Sequence, residues 1–343
     1  MYFKIIKMSK AFIIAELSAN HAGDINVAIE TIRAAKRTGA DAIKLQTYTA
    51  DTITLDVRNE LFKINSGTSW DGKYYYDLYN EAHTPWEWHK KLFEVAKEEG
   101  LICFSSPFDF TAVDLLEELD CPIYKIASFE ITDIPLIEYV ASKGKPIIIS
   151  TGIAEIEDIE LAIETCKKVG NSDITILKCT SAYPAKLEDA NLITIPDIMK
   201  RFGVKSGLSD HTLGVEAPAI AVALGATVIE KHFILDKSVG GPDAHFSLDE
   251  KKFKEMVDAV RLTEKMIGKV DYEMTEKKKN SRHFSRSLFV AEDVKEGDVL
   301  SDKNVRSIRP ASGMHPKELT SIIGKKFSKD QEKGTPLGWD MIQ

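Results

Sequence analysis

The chain has 343 residues, 43% hydrophobic and 29% charged, enough to bury a sizeable core in two domains or in one large α/β domain with an appendage. A formal net charge of −8 argues against a general nucleic-acid or anionic-membrane binder, but it leaves room for an anionic small substrate wherever lysines cluster locally. No apolar run reaches the ~18 residues that mark a membrane span.

In chain order, the opening MYFKIIKMSKAFIIAE has its apolar patch broken by Lys7, Lys10 and Glu16, and no small-residue cleavage site follows, so no signal peptide is expected. Eight short β-rich runs come next: AFIIAELS (11–18), DAIKLQTY (41–48), LICFSSPF (101–108), PIYKIAS (122–128), PIIISTG (146–152), ITILKCTS (174–181), VKSGLSDH (204–211) and TVIEKHF (227–233). Amphipathic stretches such as INVAIETIRAAKRTG separate them, with apolar residues at three- and four-residue steps and Gly at several ends. Alternating strand and helix implies a parallel sheet, and eight units in about 250 residues is the size of a (β/α)8 TIM barrel. An open doubly wound sheet is the competitor, but no GxGxxG follows the first strand.

The long insertion 49–83, rich in Tyr, Trp, Asp and Asn, falls where it would lie over the barrel mouth. It reads equally as a wall of the substrate pocket or as an ordinary surface excursion. A last helix near 247–267 closes the barrel domain, 1–267. Residues 268–285 read as a polar linker, and 286–343 as a small, mostly β second domain. The four cysteines (Cys103, Cys121, Cys166, Cys179) lack CxxC spacing, so reduced, mostly buried thiols in a cytoplasmic protein are expected.

The C-terminal strand ends of such a barrel face the active site. Here they carry an unusual set of polar groups. Strand one ends in Glu16 and Ser18, followed by Asn20 and His21; strand two carries Lys44 and Gln46; strand three ends in Ser105 and Ser106. Strand four brings Lys125, Ser128 and Glu130, strand five Ser150 and Thr151, and strand six Lys178, Thr180, Ser181 and Tyr183. Strand seven ends in Ser209, Asp210 and His211, and strand eight in Glu230, Lys231 and His232. One charge at a strand end is commonly a solvated terminus, but eight strands ending this way need partners or a ligand. Lys44 and Lys125, with the hydroxyls of Ser106, Ser128 and Ser209, suit a phosphate and a carboxylate. His211 and His232 end neighbouring strands ~4.8 Å apart. They can share one divalent cation, or be stacked core histidines; Glu16, Glu130 and Asp210 nearby favour metal binding or proton transfer. Alternation puts Glu230 on the face of His232 and Lys231 on the other, where it reads as a cation paired outside the barrel.

The motifs AELSANHAG, IKLQTY, SSPF, YKIASFE, STG, KCTSAYP, GLSDHTLG and EKHF, in this order, resemble the sialic acid synthases, and SRSLF…IRPASGMHP resembles their C-terminal antifreeze-like (SAF) domain. The form ELSANHAG resembles the pseudaminic acid synthase branch. The resemblance implies condensation of phosphoenolpyruvate with a 2,4-diacetamido-2,4,6-trideoxy hexose and release of phosphate. It implies a divalent ion on His211 and His232, Mn2+ or Mg2+ with Co2+ a further choice, polarising the sugar aldehyde. Phosphoenolpyruvate would lie on Lys44, Lys125, Ser106, Ser128 and Ser209, with Ser150 added and Ser181 where the family has an asparagine. Glu130 would transfer a proton and Glu16 hold the sugar, with Gln46, Tyr183 and Asp243 as further contacts. Arg309 would reach the acetamido group from the other subunit of a swapped homodimer. Three alternatives stand beside this reading: a synthase of a phosphorylated deoxy sugar acid, which needs a second phosphate site not apparent at the strand ends; the same chemistry on N-acetylmannosamine or the legionaminic acid precursor; and a glycan- or ice-binding module on an inert barrel.

Overall fold

The computed structural model describes residues 10–67 and 70–343. Residues 1–9, which carry most of the stretch weighed for a signal peptide, lie outside the described residues, as do Thr68 and Ser69 of the insertion. Eight parallel strands close into a barrel: β1 (Phe12–Glu16), β2 (Ala42–Thr47), β3 (Ile102–Pro107), β4 (Tyr124–Ile126), β5 (Ile147–Ser150), β6 (Ile174–Cys179), β7 (Lys205–Asp210) and β8 (Val228–His232), with β8 returning to pair with β1. All eight expected strands are present, trimmed by at most two residues at either end. The barrel is therefore the observed architecture and the open sheet is excluded.

The connecting helices begin and end where their caps dictate. Asp24 accepts from the backbone N–H of Asn26 to start the helix Ile25–Thr38, and Gly39 ends it at φ 85°, a left-handed conformation that costs glycine little. Asp109 and Asp249 cap the helices Phe110–Glu118 and Glu250–Ile267 in the same way. Among the described residues no helix is long and apolar enough to cross a membrane.

Strand alternation divides the core. Ile13, Ala15, Ile43, Leu45 and Ile229 pack outward with Ile32, Phe253 and Val257 of the helices. On the opposite face Ile14, Ala42, Phe104, Ile148 and Val228 form an apolar layer. Gly207 of β7 allows the close approach of β8, because a Cβ there would meet the Val228 carbonyl oxygen at 2.3 Å. Moving two residues toward the C-terminal ends replaces that apolar layer with the charged and hydroxyl groups of Glu16, Lys44, Ser106, Ser150 and Glu230.

The chain divides into two compact units, Met1–Gly268 and Lys269–Gln343. The second unit holds the helix Glu276–Arg282, within the stretch expected to be a linker, and an antiparallel pair, β9 (Ser287–Val290) and β10 (Val305–Ile308). Its own core is built on Leu288, Val290, Leu300, Phe327 and Leu337. All four cysteines are buried and unpaired.

Asp210 differs from its expected place among the site acids. It lies on the outer face of β7, ion-paired with Lys231, which also donates to the Thr212 carbonyl at 2.6 Å. Lys231 is paired outside the barrel lumen as expected, yet it is buried rather than solvated. Removing one partner strands the other charge in the interior. Asp210→Ala should therefore destabilise the barrel by about 3–5 kcal/mol in denaturant titrations, and Asp210→Leu with Lys231→Met should recover most of that loss.

Candidate active site

Parallel pairing brings the strand-end side chains to one level. Glu16 lies beside Lys44 of β2 on one side and His232 of β8 on the other, and Ser209 is opposite Glu230. The result is a buried floor of two carboxylates and two ammonium groups. Lys44 Nζ lies 2.6 Å from Glu16 and 3.9 Å from Glu230, and Lys125 Nζ lies 3.9 Å from the other oxygen of Glu230. Hydroxyls complete the shell: Ser106 at 3.3 Å from Lys44, Ser150 at 2.7 Å from Lys125, and Ser209 donating to Glu230 at 3.0 Å.

These neighbours set the protonation states. Burial and the charge of Glu230 push the Glu16 carboxyl up to about 7, against the pull of Lys44. Burial would raise Glu230 too, but Lys125 and Lys44 outweigh it and hold its carboxyl below the usual value. Lys44 is held above its ordinary value, its two carboxylates outweighing burial, whereas burial lowers Lys125. Glu230 Oε2, 3.9 Å from Lys44, is buried without a hydrogen-bond partner.

Above the floor lies a cavity of about 350 Å³, lined by Ser18, Gln46, Glu130, Tyr183, His232 and Asp243 together with an aromatic wall. Gln46 donates to Glu16 and to Ser18, both at 3.0 Å, and Ser18 donates to Asp243 at 2.5 Å. Ser18 holds φ 49°, a left-handed backbone uncommon outside glycine, and such strain gathers at functional sites. Ser128 and Ser181 are joined at 3.0 Å, and a Cβ on Gly152 would lie 2.1 Å from the Ser181 hydroxyl, so only glycine lets this pair form. Glu130 stands on the short helix Ser128–Glu130 after β4. Burial pushes its carboxyl up to about 7, and its Oε2 has no partner.

The His211 and His232 rings lie 5.3 Å apart, beneath Tyr183 and Phe246. His211 Nδ1 lies 3.0 Å from the Thr180 carbonyl, which commits that nitrogen and leaves Nε2 free. Burial and the charge of His211 hold His232 neutral, and its Nδ1 is buried without a hydrogen-bond partner. Burial would lower the pKa of His211, but Cys179 and the Thr180 carbonyl outweigh it and raise that pKa. His232 is therefore the neutral donor, and His211 would shed a proton to share a divalent cation with it. Among the described residues no group of three His, Cys, Asp or Glu side chains converges, so substrate and water would fill the remaining positions.

The structure thus brings together Glu16, Lys44, Gln46, Ser106, Lys125, Ser128, Glu130, Ser150, Ser181, Tyr183, Ser209, His211, His232 and Asp243. Arg309 belongs to the second unit. Asn20 and His21 do not line the cavity: Asn20 ties the loop to the Phe233 carbonyl and to Ser247, and His21 packs edge-on against Trp88. The insertion is a pocket wall, since Ile53, Trp70, Leu78, Tyr79 and Ala82 face the cavity. Sequence reasoning underweights Glu230, whose shared face with His232 is the available signal. It misses Tyr48, two residues past Gln46 on the same face, and it misses Tyr79, which no spacing marks.

A model of the NeuB family matches residues 31–272, and one of the SAF domain matches residues 285–343. The chain belongs to the NeuB family. It is 50% identical over 328 residues to a pseudaminic acid synthase of Campylobacter jejuni, across 96% of this chain and 95% of that one. To the pseudaminic acid synthase of Helicobacter pylori it is 49% identical over 332 residues, across 96% and 97%. The solved N-acetylneuraminic acid synthetase of Leptospira borgpetersenii superposes with a TM-score of 0.71 at 31% identity, covering 82% of this chain and 94% of its own. Membership excludes an inert barrel: the chain is a nonulosonic acid synthase that forms a C–C bond, of a family that uses phosphoenolpyruvate and an amino sugar.

The raised carboxyl of Glu130 has a measurable cost. A group whose pKa rises from 4.5 to about 7 on folding holds its proton more tightly in the folded state. Its contribution is therefore favourable at low pH and is lost as the pH climbs from 4.5 to about 7. In the ligand-free protein, Glu130→Gln should be more stable than the parent at about pH 8, by at most about 3 kcal/mol. The gap should close toward pH 4.5, as read from barrel unfolding at both ends of that window.

Proposed function

We propose that the chain is a pseudaminic acid synthase, condensing phosphoenolpyruvate with 2,4-diacetamido-2,4,6-trideoxy-L-altrose to give pseudaminic acid and phosphate. The observation that carries this reading is identity of about half the residues, along nearly the whole of both chains, to two synthases of that name. The site supports it. Lys44 and Lys125, with Ser106, Ser128, Ser150, Ser181 and Ser209, supply the cations and donors that a phosphate and a carboxylate need. Glu16, Gln46, Tyr183 and Asp243 offer donors and acceptors that suit the polar groups of an open-chain sugar.

In this mechanism C3 of the enol attacks the aldehyde carbon, and the aldehyde oxygen takes a proton. Water then adds at C2 and surrenders a proton, and cleavage of the C2–O bond releases phosphate. Glu130, poised near neutrality, donates to the new alkoxide and, as the carboxylate so formed, accepts from the attacking water. One group thereby closes the proton cycle. A divalent cation on His211 and His232, Mn2+ or Mg2+ with Co2+ a further choice, would polarise the aldehyde as a Lewis acid. The protein's own part is to keep His232 neutral, to orient both imidazoles and to screen the reacting carbons from bulk water.

Phosphate release is the direct test. The diacetamido sugar should turn over with the largest kcat/KM, ahead of N-acetylmannosamine and the legionaminic acid precursor. Activity should vanish after chelation and return with added Mn2+; a preference for either other sugar overturns the sugar assignment, and full activity without metal overturns the histidine pair. The reading also includes a cytoplasmic homodimer in which the SAF unit of each subunit lends Arg309 to the other subunit's sugar. Separately inactive Glu130→Gln and Arg309→Ala proteins should then regain about a quarter of parental activity after subunit exchange, the share expected from random pairing, and none if each site is complete within one chain.

A further inference from the structure

The cavity has two chemically different sides. Toward β8 and β1 it presents Ser18, His232 and Asp243. Toward β2 and β3 it presents Tyr48, Phe108, Ile53, Leu78 and Tyr79, the last three supplied by the insertion. Tyr48 packs edge-on against both Phe108, at 5.1 Å, and Tyr79, at 5.8 Å, which fixes the two phenols side by side. The Tyr48 ring is buried and Tyr79 half-buried, and both line the cavity with hydroxyls that bond to no other described residue and are not sealed in the interior. A phenol held by its ring in a cavity wall, with its hydroxyl open to the cavity, is a donor free for a ligand.

We infer that Tyr48 and Tyr79, set in the apolar wall of Ile53, Leu78 and Phe108, read the far end of the sugar: its second acetamido group and its C6 methyl. The inference rests on the proposed condensation, in which the aldehyde end lies at the histidine pair, so that C4 to C6 extend toward the opposite wall. The two phenols donate to the acetamido carbonyl. The aliphatic side chains cover the methyl, where a hydroxymethyl group would be desolvated without a partner. These residues determine specificity and take no part in bond making. An ordinary hexosamine, with hydroxyls at C4 and C6, would take the amide carbonyl away from the phenols and set its C6 hydroxyl against hydrocarbon.

The experiment compares Tyr48→Phe, Tyr79→Phe and the double variant with the parent, using phosphate release under saturating phosphoenolpyruvate. Two sugars are used: the diacetamido substrate and its analogue carrying a hydroxyl at C4, the latter as a competitive inhibitor where turnover is slow. Each variant should raise KM for the diacetamido sugar about five- to tenfold, with kcat and the KM for phosphoenolpyruvate unchanged. The constants for the 4-hydroxy analogue should not move. Equal weakening of both sugars, or none, overturns the inference while leaving the condensation intact. A parent protein that releases no phosphate with the diacetamido sugar overturns the condensation and, with it, this inference.

Discussion

Four charges in one dry layer govern this barrel. Burying a carboxylate or an ammonium costs several kcal/mol each, and attraction repays that only where partners lie close. Lys44 is bonded to Glu16, and Glu230 sits between Lys44 and Lys125, so each charge has an opposite neighbour. The balance is slightly uneven. With Glu16 pushed up to about 7, the layer is partly protonated near neutrality and carries a positive excess when Glu16 holds its proton. An acidic chain of net charge −8 can thus present a positive floor to an anion. The hydroxyls of Ser106, Ser150 and Ser209 already touch these groups, so an arriving phosphate finds donors whose positions are set.

The rest of the site depends on that floor. The proposed chemistry needs a neutral imidazole at His232, which burial and the nearby cations keep in that state. It needs a carboxyl near neutrality, and Glu130 acquires one by burial, beyond the reach of a direct ion pair. The selection among sugars inferred above belongs to a different layer, the insertion that walls the cavity. The division follows the physics of a barrel: the strand ends hold what must be rigid, and the loops hold what distinguishes substrates.

The sequence makes the fold and most of the floor legible because both follow from period. Eight apolar runs separated by amphipathic helices admit few topologies, and alternation alone puts Lys44 with Gln46, and Glu230 with His232, on one face. The losses occur where contacts cross between strands or leave regular structure. Asp210 carries the chemistry of a metal ligand, yet it faces outward to Lys231, a pairing fixed by register between β7 and β8. Asn20 and His21 follow a strand end but turn away, because the loop after β1 bends through the left-handed Ser18 and Ala22. Tyr79 lies in a helix of the insertion, and nothing in its spacing connects it to a cavity formed by distant strands.

The Asp210–Lys231 pair acts on more than stability. Side chains alternate with period two, so a one-residue slip of β8 would swing Lys231 into the barrel and send Glu230 and His232 among the helices. In the native register an acid waits on the outer face to receive Lys231. A slipped strand would instead set Asp210 against hydrocarbon with no counter-charge and crowd a third ammonium beside Lys44 and Lys125. The pair thus works as an assembly check: it penalises misthreaded barrels, so that the chain closes with its reactive groups facing inward.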